Sequence, residues 1–443
     1  MLLDTAEEKY KYKIMYILYN IILLIAALVI APYFLVKIIF TGKYRNSFVQ
    51  KFGGRQTKIL EDVQGGPRVW IHAVSVGEVT AAAPIIASLK RKRPEVKIIF
   101  STWTETGQEM AKKFIKDEVT FIYFPLDIPV VVRKVINMVN PDVFVLVETE
   151  LWPNFLHACA KSRIKTLMVN GRISPRSYRR YRLTDFLWKK ILSGLDFAGM
   201  ISGVDAQRIQ DIGMDASKIQ VLGNAKYDGL AAKVSPELQK EITRRLNVKE
   251  KERFFVVGST HPGEDEIVID VYRKLLERYP DFRLILVPRH IERTNEVVKL
   301  VEGAGFRDVI KLSEINNGRS RNNESVIIVD VIGELFKVYS LASIVFCGGS
   351  LAPKGGQNIL EAAAWGKVIF YGPSMEDFSQ EKTLLEEAGC GIMIQNGEEL
   401  FSGMMQMLGN PEELTRRGEK GKAVVLDNIG ASGRYADLIS RYF

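Results

Sequence analysis

Cysteine is scarce and odd in number. The three residues, Cys159, Cys347 and Cys390, are too few and too scattered for a disulfide framework. That scarcity argues for a reducing compartment. Histidine is nearly as sparse: His72, His157, His261 and His290 include no HExxH and no paired spacing. A dedicated zinc site is therefore not expected. No GxGxxG opens a first βαβ unit, and no GxxxxGK[ST] occurs anywhere, which removes redox-dinucleotide and ATPase readings. No RNA- or DNA-binding signature accompanies the net charge of +9. The basic excess then suits a phosphorylated metabolite or a membrane surface, or does no more than aid solubility. Nucleic acid, metal and cofactor are all left out of the expected partners.

What the chain has is length and apolar content. At 443 residues and 47% hydrophobic, it predicts two or three domains with large cores. "IMYILYNIILLIAALVIAPYFLV", residues 14–36, carries no charge and exceeds the ~20 residues needed to cross a bilayer. It lacks the short core and A-x-A cleavage site of a signal peptide. Its apolar residues run all the way round, which favours a spanning helix over an interfacial one. Lys37, Lys43, Arg45, Lys51 and Arg55 follow the run, so the body is expected in the cytoplasm.

From residue 68 onward, short apolar runs such as "VWIHAV", "KIIFST" and "DVFVLVE" alternate with helical stretches such as "EVTAAAPIIASLKRKRP". This is the βαβ pattern of a parallel, doubly wound sheet. A polar stretch at 231–253 interrupts it, and the alternation restarts with "FFVVGST" and "FRLILVPRH". The expected organisation is an anchor over 1–40, a first Rossmann-like domain over 41–232 and a second over 233–443, with a last helix free to cross back. Two such domains would face each other across a cleft, with ligand at the carboxyl ends of the strands.

The chemically suggestive residues fall at those strand ends. "FCGGSLAPKGGQNILEAAAWGK" ends a strand in Gly348, Gly349 and Ser350, then loops through Gly355 and Gly356 to Asn358 and Glu361. Glycines admit a ligand to the backbone, and a helix start offers N–H groups to phosphate. Glu361 is placed to hold a ribose diol; Asn358 with Glu361 also reads as a capping box. "LILVPRH" ends in Arg289, suited to phosphate or carboxylate, and His290. Ser259, at the end of "FFVVGST", could bind phosphate or cap a helix.

In the first half, "RVWIHAVSVGEVTAAAPII" runs from strand to helix through Gly77 and Glu78. Glu78 is either a helix-start residue or a carboxylate held at a ligand site. Glu148 and Glu150 flank Thr149 after another strand; if the strand continued there, both carboxylates would share a face. "NGRISPRSYRRYR" carries Arg172 and Arg176 and suits an acceptor phosphate or a solvated basic face.

These stretches, with "STWTETG", "LVETELWPN", "GNAKYD" and "GSTHPGEDE", together resemble the 3-deoxy-D-manno-octulosonic acid (Kdo) transferases of lipopolysaccharide synthesis. They run in order from about residue 70 to 375, and the apolar N-terminal run fits too. Gln357 stands where members commonly have His, and Ile359 where they have Pro. The resemblance implies the two-Rossmann GT-B architecture and transfer of Kdo from CMP-Kdo onto lipid A precursor, with inversion, at the inner membrane. It implies acceptor in the first domain and CMP-sugar mostly in the second, with no metal or cofactor. It matches Glu78 to the family's catalytic base, which the helix N-terminus would hold ionised at a lowered pKa. A membrane-tethered nucleotide-sugar binding protein and a nucleotide-sugar epimerase are the alternatives.

Overall fold

A computed structural model describes residues 14, 16–26, 28–29, 45–54, 63 and 65–443. The body divides into two compact units: residues 1–229 with 429–443, and residues 230–428. Each is built on its own seven-stranded, all-parallel sheet.

The first unit carries β1 (Arg68–His72), β2 (Lys97–Thr102), β3 (Val119–Tyr123), β4 (Val143–Val147), β5 (Lys165–Gly171), β6 (Phe197–Met200) and β7 (Ile219–Val221). Their order in space is β3-β2-β1-β4-β5-β6-β7. The strands are apolar on both faces because helices cover both. Val69, Ile71, Val143 and Val145 pack against the Val76–Lys92 and Ala431–Ser440 helices, and Trp70, Ile99, Phe144 and Leu146 fill the opposite face. The last helix therefore belongs to the first unit. Asp228 caps it by accepting from Gly430 N at 2.5 Å and Ser432 N at 3.0 Å.

The second unit carries β8 (Arg253–Thr260), β9 (Phe282–Pro288), β10 (Val309–Lys311), β11 (Val326–Ile328), β12 (Ala342–Cys347), β13 (Ile369–Tyr371) and β14 (Gly391–Met393). Their order is β10-β11-β9-β8-β12-β13-β14. In each sheet the order turns back next to the first strand, at β1/β4 and β8/β12. Such switch points are where ligand sites form in open α/β sheets.

The expected 14–36 span is described only in part. Residues 14, 16–26 and 28–29 are helical; residues 15, 27 and 30–36 lie outside the described residues. Among the described residues no helix is long and apolar enough to cross a membrane. The helical part has a polar stripe turned to the body. Tyr19 Oη donates to Asp127 at 2.8 Å, Asn20 exchanges hydrogen bonds with Asn154 at 3.3 and 2.9 Å, and the Tyr16 and His157 rings lie 5.3 Å apart. Ile17, Leu18, Ile21, Ile22, Leu24, Ile25, Leu28 and Val29 are left exposed.

Candidate active site

In the first unit, β1 ends at the buried His72 and the chain turns into the Val76–Lys92 helix. Ser75 is the N-cap: its Oγ accepts from Glu78 N at 3.3 Å and donates to Glu78 Oε1 at 2.7 Å. Glu78 Oε2 reaches back to accept from Val74 N at 2.7 Å. This nearly reproduces a capping box, so the helix-start role is real. The same carboxylate is only 6% exposed. Burial pushes its pKa up to about 7; the Val74 N–H and Ser75 bonds oppose that, and the charges of Glu150 and Glu148 add to it. The expected lowering by the helix N-terminus is overturned, because desolvation and two like charges outweigh the turn's donors. A carboxylate titrating near neutrality is suited to general-base work.

Glu148 and Glu150 do not share a strand face. β4 stops at Val147 and Glu148 takes φ 60°, so the chain turns there and the strand does not continue. Glu148 Oε1 pairs with Lys226 Nζ at 2.7 Å. Burial raises the Glu150 carboxyl, and Glu148 raises it further. Thr149 donates to the carbonyl of Arg172, tying the ends of β4 and β5 together. Asn170 Oδ1 accepts from Ala225 N at 2.8 Å, which positions the helix bearing Lys226. A Cβ at Gly77 would lie 3.9 Å from Lys226 Nζ, so this cation stands beside the Glu78 turn. Sequence reasoning missed Lys226; its signal was the "GNAKYD" stretch. Arg172 is half-buried at the end of β5, while Arg176 is exposed on the Pro175–Arg182 helix with Arg179, Arg180 and Arg182.

In the second unit, Ser259 sits at φ 59° near the end of β8. Gly348 packs so closely on it that a Cβ there would come within 2.6 Å of the Ser259 carbonyl. Most N–H groups of the loop after β12 are already taken. Glu264, 1% exposed, accepts from Gly349 N at 2.7 Å, Ser350 N at 3.0 Å, Leu351 N at 2.9 Å, Ala352 N at 3.2 Å and His261 N at 2.9 Å. The helix after the loop, Leu360–Ala364, is one short turn whose first N–H is taken by Asn358 Oδ1 at 3.2 Å. The N–H groups of Gly349–Ala352 and Leu360, among those the sequence suggested for phosphate, are thus committed within the protein. Gly355 and Gly356 take φ 82° and 79°, and a Cβ on either would strike Asp377 or Met375.

Side chains supply charge instead. Arg289 and His290 are exposed at the end of β9. The His261 ring lies against Gly349 and 5.7 Å from the His290 ring, edge to face. Burial lowers the His261 pKa, Glu264 opposes this, and His290, Lys354 and Arg289 reinforce it. Burial raises Glu361, whose carboxyl feels Lys233, a 3.5 Å bond from Asn358 and Arg289. The structure therefore groups Arg289, His290, Gly349, Asn358 and Glu361 with His261, Lys233 and Lys354, which sequence reading passed over. Among the described residues no three His, Cys, Asp or Glu side chains are grouped to hold a metal.

A family model described as 3-deoxy-D-manno-octulosonic-acid transferase (kdotransferase) matches residues 46–229. The chain is 33% identical over 402 residues to 3-deoxy-D-manno-octulosonic acid transferase of Haemophilus influenzae, covering 90% of this chain and 92% of that one. It is 29% identical over 408 residues to the transferase of the same name from Chlamydia trachomatis, covering 92% of each. Among solved structures, UDP-GlcNAc 2-epimerase from Neisseria meningitidis matches with TM-score 0.60 at 11% identity, over 85% of this chain and 99% of that one. That likeness is one of fold alone.

Proposed function

The chain belongs to the 3-deoxy-D-manno-octulosonic acid (Kdo) transferase family and is a glycosyltransferase, and on that premise we propose that it moves Kdo from CMP-Kdo onto lipid A precursor with inversion, Glu78 acting as general base. The observation that carries the reading is Glu78 itself: a buried carboxylate at the end of β1 with a pKa near 7, flanked by Glu148, Glu150 and Lys226. In the proposed step an acceptor hydroxyl attacks the anomeric carbon of Kdo as Glu78 Oε takes its proton. The bond from that carbon to the CMP phosphate oxygen breaks, and the electron pair leaves with CMP. Arg289, His290 and the cations around Gly349 stabilise the departing phosphate, as fixed charges at a leaving group do. Glu361 holds the ribose, with Ser259, Gly348, Ser350, Gly355, Gly356 and Asn358 shaping the donor loop. Arg172 and Arg176 meet the acceptor's anionic head group.

The exposed apolar residues of the N-terminal helix and the basic Pro175–Arg182 helix support attachment to the inner membrane, with the body cytoplasmic. A lipid-borne acceptor calls for such attachment, and an epimerase would not need it. Mass spectrometry of lipid A precursor incubated with the protein and CMP-Kdo tests the reading. A gain of one or more Kdo masses is expected, and no gain sinks it.

A further inference from the structure

Resting on that reading, we propose that Lys51, seated on the Trp103 indole, binds a phosphate monoester of the acceptor sugar on the β3 side of Glu78, across the sheet from Arg172. Lys51 ends the Arg45–Lys51 helix. That helix end is pinned over the sheet edge, since the Lys51 carbonyl accepts from Leu126 N at 2.9 Å and Gln50 Oε1 accepts from Tyr123 N at 3.2 Å. The ammonium lies 4.7 Å from the Trp103 ring centroid. Trp103 in turn stacks on Trp152, centroids 5.2 Å apart and planes 18° apart. Phe124 continues the stack, 5.9 Å from Trp152 and 3.7 Å from His72.

The stack stands where chemistry is expected. Trp103 follows β2 and Trp152 follows β4, the two neighbours of β1, whose continuation holds Glu78. Next to Trp103, the Thr104–Gly107 turn lies against Val74, a Cβ at Gly107 coming 3.3 Å from the Val74 carbonyl. Val74 is the residue whose N–H binds Glu78.

The ammonium is also short of a counter-charge. It is half-buried and makes no ion pair among the described residues. The carboxylate it feels is Glu105, which already accepts from Ser47 Oγ at 2.9 Å. Trp152 Nε1 is buried without a hydrogen-bond acceptor among the described residues. A cation held by a ring face, with unspent charge, takes an anion as its natural partner, and lysine serves phosphate as a point charge.

The test measures acceptor binding by calorimetry in detergent micelles without donor, and acceptor and CMP-Kdo KM with donor present. Both use intact and phosphatase-treated acceptor. Lys51→Met is expected to weaken binding of the intact acceptor by about 10- to 100-fold, the loss of one charge-assisted contact. It should leave the CMP-Kdo KM and the binding of stripped acceptor nearly unchanged, and Lys51→Arg should restore most of the affinity. Equal losses with both acceptors, or no loss with either, overturn the proposal. So does a loss confined to flotation on phosphatidylglycerol vesicles with micellar binding intact, which makes Lys51 a bilayer contact. The binding arm uses no donor. Lys51-dependent binding without Kdo transfer would therefore sink the transferase reading and leave this one standing.

Discussion

Glu78 closes the first turn of its helix and is held near neutrality by burial, so its two roles separate by experiment. Glu78→Gln keeps the shape and most of the hydrogen bonding but cannot take a proton. If Glu78 is the base, kcat falls by about 10²–10⁴-fold while CMP-Kdo binding by calorimetry barely changes. If it only starts the helix, turnover survives and stability drops by about 1 kcal/mol. Near-normal turnover in this variant would move attention to Glu148, Glu150 and His290. The titration adds a second readout. The base must be ionised, so the rate should climb through about pH 7 and level above it. For stability the sign is opposite. The folded pKa of about 7 lies above the ordinary 4.5, so the native state holds the extra proton between them. This group's contribution is full below pH 4.5 and is lost as pH rises through 7, by roughly 3 kcal/mol. Glu78→Gln should flatten that slope in urea melts read from pH 5 to 8. Lys226→Met removes the cation that pairs with Glu148 and leaves an unbalanced charge beside Glu78. Its pH–rate midpoint should move to higher pH; an unmoved midpoint would show that Lys226 does not act on the base.

Elements were legible wherever burial on both faces wrote an unbroken apolar run. "VFVLV" is β4 with all five residues buried, and the restart near residue 253 is β8. The strand ends that collected Glu78, Arg289 and Gly348–Gly349 were legible for the same reason, since a run must stop before polar residues can start. What was hidden depended on conformation or on distant partners. The left-handed turn at Glu148 leaves no mark in a two-residue period, and Lys226 meets it from 78 residues away. Glu264 looked like an ordinary acidic helix start; only the folded loop shows it gathering four N–H groups from Gly349–Ala352. That gathering makes it the support of the loop proposed to hold the donor. Glu264→Gln swaps an acceptor for an amide that donates, so several of those N–H groups lose their partner. The CMP-Kdo KM should rise at least tenfold with the acceptor KM unchanged, and parallel changes in both would indicate a general loss of folding. The closing helix rests on a similar device. Asp228→Ala uncaps Ala431–Ser440 and should cost about 0.5–2 kcal/mol by urea denaturation; an unchanged midpoint would mean that packing on the Val76–Lys92 helix alone holds it.

For the whole molecule the question is how a chain with net charge +9 would meet the lipid-borne acceptor proposed for it. Among the described residues, the helical part over 14–29 does not present exposed apolar side chains all round. Tyr16, Tyr19, Asn20, Leu23 and Ala26 recur at helical spacing and are half-buried, whereas Ile17, Leu18, Ile21, Ile22, Leu24 and Ile25 are exposed. Asn20, a blemish in a spanning helix, is explained as a partner of Asn154. Once its polar stripe is docked on Asp127 and Asn154, this part of the helix has one apolar face left to bury, and the interior of a bilayer leaflet is the solvent that would cover it. The exposed Arg176, Arg179, Arg180 and Arg182 add attraction to anionic head groups, which salt screens. Two contributions should therefore separate in flotation assays with phosphatidylglycerol vesicles. Ile21→Glu with Ile25→Glu should abolish flotation at every salt concentration. Arg179→Gln with Arg180→Gln should weaken it at low salt and match the parent protein at 0.5 M. Kdo transfer to acceptor in detergent micelles should survive both pairs, because neither touches the Glu78 cluster. If the glutamate pair still floated, the exposed face would not be the attachment surface, and membrane binding would have to be sought elsewhere in the chain.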